Sequence, residues 1–177
     1  MSDPNALRAV IALANERRPG FAEAIGSTAI PAPERPTPPA QLRDVYAVAS
    51  GTPSNIADQR LMDIVPGFRL IHCNELAEVA RQCHSIWPEL ERYVPFLADY
   101  SGSYYMVSTT DGRVSVLDKE GALLTIASTM ERFWSTVQRC YADGAYLYDD
   151  NGYLDYDEDH VARIGAAMNP GCEYWAQ

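Results

Sequence analysis

Tyr104, Met106 and Ser108 alternate with Tyr105, Val107 and Thr109, a period of two that predicts a β-strand. A second alternation from Arg113 to Leu117 puts Val114 and Val116 on one face. Asp111-Gly112 between them is a preferred hairpin turn, so the two segments are expected to pair antiparallel. Upstream, Phe96 leads a short apolar run that Ser101 and Gly102 break; downstream, a turn at Glu120-Gly121 leads to Leu123, Leu124 and Ile126. Together they read as an antiparallel meander. The period then changes to that of a helix: Ser128 is a good N-cap with Glu131 three residues on, and Met130, Phe133, Trp134 and Val137 share one side.

Helical spacing recurs elsewhere. Ser2 or Asp3 caps a first helix whose apolar face is Leu7, Val10, Ile11 and Ala14, and Arg17, Arg18, Pro19 and Gly20 end it. That helix alone cannot bury a core and must dock on the main body or on another chain. Pro31, Pro33, Pro36, Pro38 and Pro39 then punctuate an extended connecting segment. Helices are expected from Ala40 to about Ala49 and from Asn74 to Trp87, the second with Leu76, Val79, Ala80 and Cys83 on one face and Pro88 as its stop. Tyr146 to Tyr156 reads as a short hairpin around Asn151-Gly152, and Glu158 to Met168 as a last helix presenting Val161, Ile164 and Ala167 before Asn169-Pro170-Gly171. The fold class is therefore α+β: a single domain with one mostly antiparallel sheet packed by helices, in which residues 1–39 supply the N-terminal helix and connecting segment and 40–177 the sheet-bearing part.

The order Pro95-Phe96, Asp99, Gly102, Tyr104-Tyr105, a turn, a further strand and a helix introduced by Ser128 resembles the SUKH superfamily, the Smi/Knr-like proteins that include fungal cell-wall synthesis regulators and many bacterial immunity proteins. Tyr46 to Thr52 looks like the family's helix that runs out into Gly-Thr, and Ile64 to Ile71 with the helix near Asn74 is similar to the family's next segment. The resemblance covers roughly Leu42 to Trp175. It implies a SUKH-like fold and a protein that works by binding another protein, with no catalytic residues.

Composition narrows the classes further. A chain of 177 residues with 47% hydrophobic content is long enough for one good core and short for two. It holds no uninterrupted apolar run of the roughly 18 residues that a membrane span needs, and Met-Ser-Asp-Pro-Asn lacks the pattern of a secretory signal, so a cytoplasmic protein is expected. Cys73, Cys83, Cys140 and Cys172 are widely scattered and read as reduced thiols. Lys119 is the only lysine among the basic residues, an arginine bias of the kind high-GC bacterial genomes produce. The formal charge of −10 repels nucleic-acid phosphates and anionic membranes and favours a basic partner. The acid is concentrated: Asp143, Asp149, Asp150, Asp155, Asp157, Glu158 and Asp159 alternate with Tyr141, Tyr146, Tyr148, Tyr153 and Tyr156. Tyrosine offers a large rigid contact with a polar tip, so Asp143, Tyr148, Asp149, Asp150, Tyr153, Asp155, Tyr156 and Asp157 are the candidate partner-binding residues, with no nearby Lys or Arg to neutralise the carboxylates.

Signs of catalysis are few. The chain has no phosphate-binding glycine loop, no nucleophile elbow and no His-Glu-x-x-His. His72-Cys73 and Cys83-His84 are adjacent pairs whose side chains diverge, and no Cys-x-x-Cys spacing supports a metal site. With Gly152 at the sixth position of a calcium loop, Asp149, Asn151, Asp155 and Glu158 fall at ligand positions, but Leu147 occupies the first and has no oxygen to offer. No catalytic residue, metal or cofactor is therefore expected. Three functions stay open: an immunity protein that neutralises a cognate toxin, a regulatory adaptor like the fungal members, and an enzyme with an unrecognised site.

Overall fold

In the computed structural model, which describes residues 4–27 and 37–176, the alternating segments form one antiparallel meander. Its strands are β1 (Arg69–Leu70), β2 (Tyr93–Ala98), β3 (Tyr104–Ser108), β4 (Val114–Leu117) and β5 (Leu123–Ala127), each beside the next in chain order. The register pairs Tyr104 with Leu117 and Val107 with Val114. The connection is longer than an isolated Asp-Gly turn: the Ser108 amide donates to the Arg113 carbonyl at 2.9 Å and the loop runs from Thr109 to Gly112. Pro95 is tolerated inside β2 because β1 pairs only with Leu97 and Ala98, so the missing Pro95 amide lies beyond the end of its neighbour.

The pleat separates two faces. Tyr105, Val107, Val114 and Val116 point to one side, where α5 (Met130–Ala142) lays Phe133 against Tyr105 and Phe96 at ring separations of 5.4 and 5.5 Å. Behind α5 packs α1 (Pro4–Arg17), with Leu7, Val10, Ile11 and Ala14 buried as its period predicted, so this helix docks on the main body. Met106 and Leu117 point the other way and meet Cys83 of α4 (Leu76–Ile86) and Leu90 in a smaller cluster. α4 ends where Trp87 leaves the helical region, at φ −124° and ψ 78°, ahead of Pro88, because a following proline disfavours the helical conformation.

Three expectations shift in detail. The N-cap of α5 is Thr129, not Ser128: its Oγ1 accepts from the Arg132 amide at 3.1 Å, so the Ser128/Glu131 box does not form. The helix expected from Ala40 to Ala49 is a 3-10 turn (Ala40–Leu42) followed by α3 (Arg43–Val48). In α6 (Glu158–Met168) Ala167 faces solvent while Ile164 and Gly165 are buried, because Trp175 covers Gly165 so closely that a Cβ there would lie 2.4 Å from the indole. The expected Ser2 or Asp3 cap and Pro31, Pro33 and Pro36 lie outside the described residues. The remaining described residues include α2 (Phe21–Ala24), further 3-10 turns including one at Glu173–Ala176, and a separate hairpin of β6 (Tyr146–Tyr148) and β7 (Leu154–Tyr156).

Candidate functional site

Hairpin β6–β7 and the start of α6 carry the acidic, tyrosine-rich stretch. The pairing sets Leu147 opposite Asp155 on the outer face, and Tyr148 opposite Leu154 on the inner one. Several carboxylates are engaged by the fold. Asp149 accepts from the Asn151 and Tyr153 amides at 2.9 and 2.8 Å and shapes the turn; Asp157 caps α6 by accepting from the His160 amide at 2.9 Å. Asp155 accepts from the Tyr156 amide. Asp150, Glu158 and Asp159 are exposed.

The expectation that no cation neutralises this stretch needs correction at one end. Asp143, the C-cap of α5, pairs with Arg139 one turn back at 2.5 Å, a helical i, i+4 pair of the usual kind. Arg60 reaches the hairpin tip beside Gly152 but is itself held by Asp58 at 2.7 Å. The tyrosines divide as well. Tyr146 is buried, Tyr141 is half-buried with its hydroxyl donating to the Ile64 carbonyl at 2.9 Å, and Tyr148 is half-buried. Tyr153 and Tyr156 are left as anchors, 45% and 48% exposed, with Leu147 at 42%.

Beneath the hairpin lies a feature that spacing did not reveal. Arg18, 5% exposed, donates to the carbonyls of Arg60 and Asp63 at 3.0 and 2.8 Å and to the Tyr141 hydroxyl at 3.2 Å. Its guanidinium lies over the Phe21 ring at 4.3 Å and the Tyr148 ring at 5.5 Å. One buried cation thus ties the end of α1, the 58–68 segment, α5 and the hairpin together. In sequence Arg18 is indistinguishable from its exposed neighbour Arg17.

Burial pushes the Asp63 carboxyl up to about 6, against the downward pull of Arg18 and the Gly67 amide. In the unfolded chain an aspartate titrates near ~3.9. Between those values the folded protein holds a proton that the unfolded chain has released, so Asp63 contributes stability that is complete below about pH 4 and lost as the pH rises through about 6. Asp63→Asn removes this dependence. The urea midpoint of the variant relative to wild type should rise between about pH 4 and about pH 7; a difference that is flat or falls with pH contradicts the assignment.

Backbone groups engage His72 and His84. His84 Nε2 donates to the Tyr93 carbonyl at 2.9 Å and His72 Nδ1 accepts from the Asn74 amide at 3.3 Å. The four cysteines are buried and form no disulfide, and burial pushes the Cys83 thiol up to about 11 and the Cys140 thiol up to about 12, which keeps both protonated at neutral pH. In the calcium-like register, Leu147 points outward and the Asp149 carboxylate serves the turn. Among the described residues no three His, Cys, Asp or Glu side chains are grouped to hold a metal, and no helix is long and apolar enough to cross a membrane.

No family model matches the chain, and no curated protein is significantly similar to it. The SUKH resemblance therefore rests on the order of residues from Pro95 to Ser128 and the segments before it.

Proposed function

We propose that this protein is a non-catalytic protein-binding domain that docks on a basic face of a partner through hairpin β6–β7 and the first turn of α6. The observation that carries this reading is the exposure of Leu147, Tyr153 and Tyr156 among Asp149, Asp150, Asp155, Asp157, Glu158 and Asp159, on a chain of net charge −10. These exposed side chains supply contact area, and the surrounding carboxylates supply steering and register. The SUKH resemblance supports a narrower reading, in which the protein is a bacterial immunity protein and the partner its cognate toxin. A toxin with a basic substrate groove, such as a nuclease, presents the complementary charge.

The test is capture from the native cell by wild type and by a variant carrying Asp149→Asn, Asp150→Asn, Asp155→Asn and Asp157→Asn. Asparagine keeps the side-chain oxygen that caps the turn and α6, so the fold should survive while the charge does not. A basic protein, identified by mass spectrometry, should be retained by wild type and reduced about tenfold or more with the variant. A toxin encoded beside this gene would establish the immunity reading; a signalling or cell-wall assembly protein would make this domain an adaptor. Equal recovery of the same partner by both proteins moves the site elsewhere on the domain.

A further inference from the structure

Asn151 stands exposed at the tip of hairpin β6–β7, and it is the one asparagine of the chain that a glycine follows. Among the described residues its side-chain amide makes no hydrogen bond; its contact with Asp149 runs through the main-chain N–H, at 2.9 Å. Gly152 has φ +84° and open space around it, since a Cβ there would come no nearer than 3.6 Å to Arg60 Cδ. With no side chain to crowd it, the Gly152 main-chain nitrogen can close a succinimide ring on Asn151 Cγ. The other asparagines lack this combination. Asn55 precedes the branched Ile56, Asn169 precedes Pro170, which has no N–H, and Asn15 is held in α1 with its Oδ1 accepting from the Ala22 amide at 3.0 Å.

The folded turn opposes the reaction without blocking it. Gly152 donates its N–H to the Asp149 carbonyl at 2.9 Å, and the Asp149 carboxylate accepts from the Asn151 and Tyr153 amides at 2.9 and 2.8 Å. The nitrogen must give up its proton and turn toward Asn151 Cγ, so that bond to Asp149 has to open first, and the charges of Asp149 and Asp150 disfavour the amide anion. β6 and β7, however, are strands of 3 residues each in a two-stranded sheet of their own. Their tip opens at less cost than the five-stranded sheet.

We propose that Asn151 is a site of spontaneous deamidation, with the Gly152 main-chain nitrogen as nucleophile and the opening of the Asp149–Gly152 turn as its gate. The nitrogen, its proton taken by hydroxide, bonds to Asn151 Cγ; the Cγ–Nδ2 bond breaks and ammonia leaves, taking up a proton from water. Water then opens the succinimide at either carbonyl, to give aspartate or isoaspartate. One amide and one water become one carboxylate and one ammonium, with nothing oxidised or reduced. Either product adds a negative charge to the acidic hairpin, and isoaspartate lengthens the main chain by a carbon at the turn, which breaks the Asp149–Gly152 geometry. The chemistry holds whether or not the hairpin docks on a partner.

The experiment keeps the full chain folded in mildly alkaline buffer, and in parallel unfolded in guanidinium chloride, and follows each asparagine by mass spectrometry of digests, with isoaspartate read by its enzymatic methylation. In the folded chain Asn151 should convert, with isoaspartate among the products, while Asn55 and Asn169 stay intact. Unfolding should speed the reaction at Asn151 about tenfold or more by removing the gate. Asp149→Ala takes away the carboxylate that shapes the turn and should speed the reaction in the folded chain about threefold or more, whereas Asn151→Gln should abolish it. A folded chain that keeps Asn151 intact overturns the proposal, and so does conversion of Asn55 as fast as Asn151. An Asp149→Ala rate equal to that of wild type overturns the gating by the turn.

Discussion

Replacing Gly51 by alanine is expected to remove a large share of the protein's stability. Gly51 follows α3 at a crossing of chains: its amide donates to the Ile25 carbonyl at 3.1 Å, the Thr52 amide donates to Leu70 at 2.8 Å, and the Cys73 amide donates to Ser50 at 2.8 Å. At φ +88°, a Cβ on Gly51 would lie 2.3 Å from the Ile71 carbonyl oxygen and 2.7 Å from the His72 Cα. Those are backbone atoms held by the same hydrogen bonds, so no rotamer change relieves the contact. The left-handed conformation alone costs a side chain about 1–2 kcal/mol. The overlap should bring the total above ~4 kcal/mol, a large share of the roughly 5–15 kcal/mol typical of a domain. Gly67→Ala separates the two effects, because Gly67 also has positive φ, at +78°, but a Cβ there would meet nothing within 4 Å. Urea unfolding should show the Gly67 variant losing only the conformational ~1–2 kcal/mol. Equal losses at the two positions would show that close packing at Gly51 is not the dominant effect.

Arg18→Met should be the next most damaging change. Methionine keeps much of the apolar stem but leaves the carbonyls of Arg60 and Asp63 without their donor, and removes the cation from Phe21, Tyr148 and Asp63. Loss of one member of a buried charged network typically costs about 3–5 kcal/mol. Arg18→Lys should recover only part of this, since a lysine ammonium is a point charge and cannot span the three acceptors as a planar fork does. Because Tyr148 belongs to the hairpin, the Met variant should also broaden or shift the amide resonances of 146–156 more than those of the β3–β4 hairpin. A loss under about 1 kcal/mol would mean that Arg18 behaves as a solvated surface charge.

The sheet was legible because both of its signals are local. Alternation at Tyr104–Ser108 and Val114–Leu117 set the faces, and Asp111-Gly112 set the chain reversal between them. The same holds for α1, α5 and α6, whose periodic apolar residues are separated by breakers. Ser128 and Thr129 show where local signals stop: both can cap, and only the backbone conformation selects Thr129. Ala167 shows a second limit, since an alanine at helical spacing looks apolar while Trp175, arriving from the C-terminal turn, decides that Gly165 faces inward.

Of the candidate site, the acidic character was legible and the anchors were not. Tyr146, Tyr148, Tyr153 and Tyr156 are one residue type in one short stretch, and only the packing of the hairpin on α5 and Arg18 separates the buried from the exposed.

The central claim, that the acidic hairpin docks on a basic protein, is tested most directly by association kinetics with the captured partner. Rate constants would be measured at about 50 mM and about 500 mM salt, where the Debye length shrinks from ~14 Å to ~4 Å, for wild type and for the variant with asparagine at positions 149, 150, 155 and 157. Charge-steered docking predicts that wild type associates about tenfold or more faster at low salt than at high salt, that the variant is slower at low salt, and that the two converge at high salt. The same association rate and the same salt dependence in both proteins would contradict it.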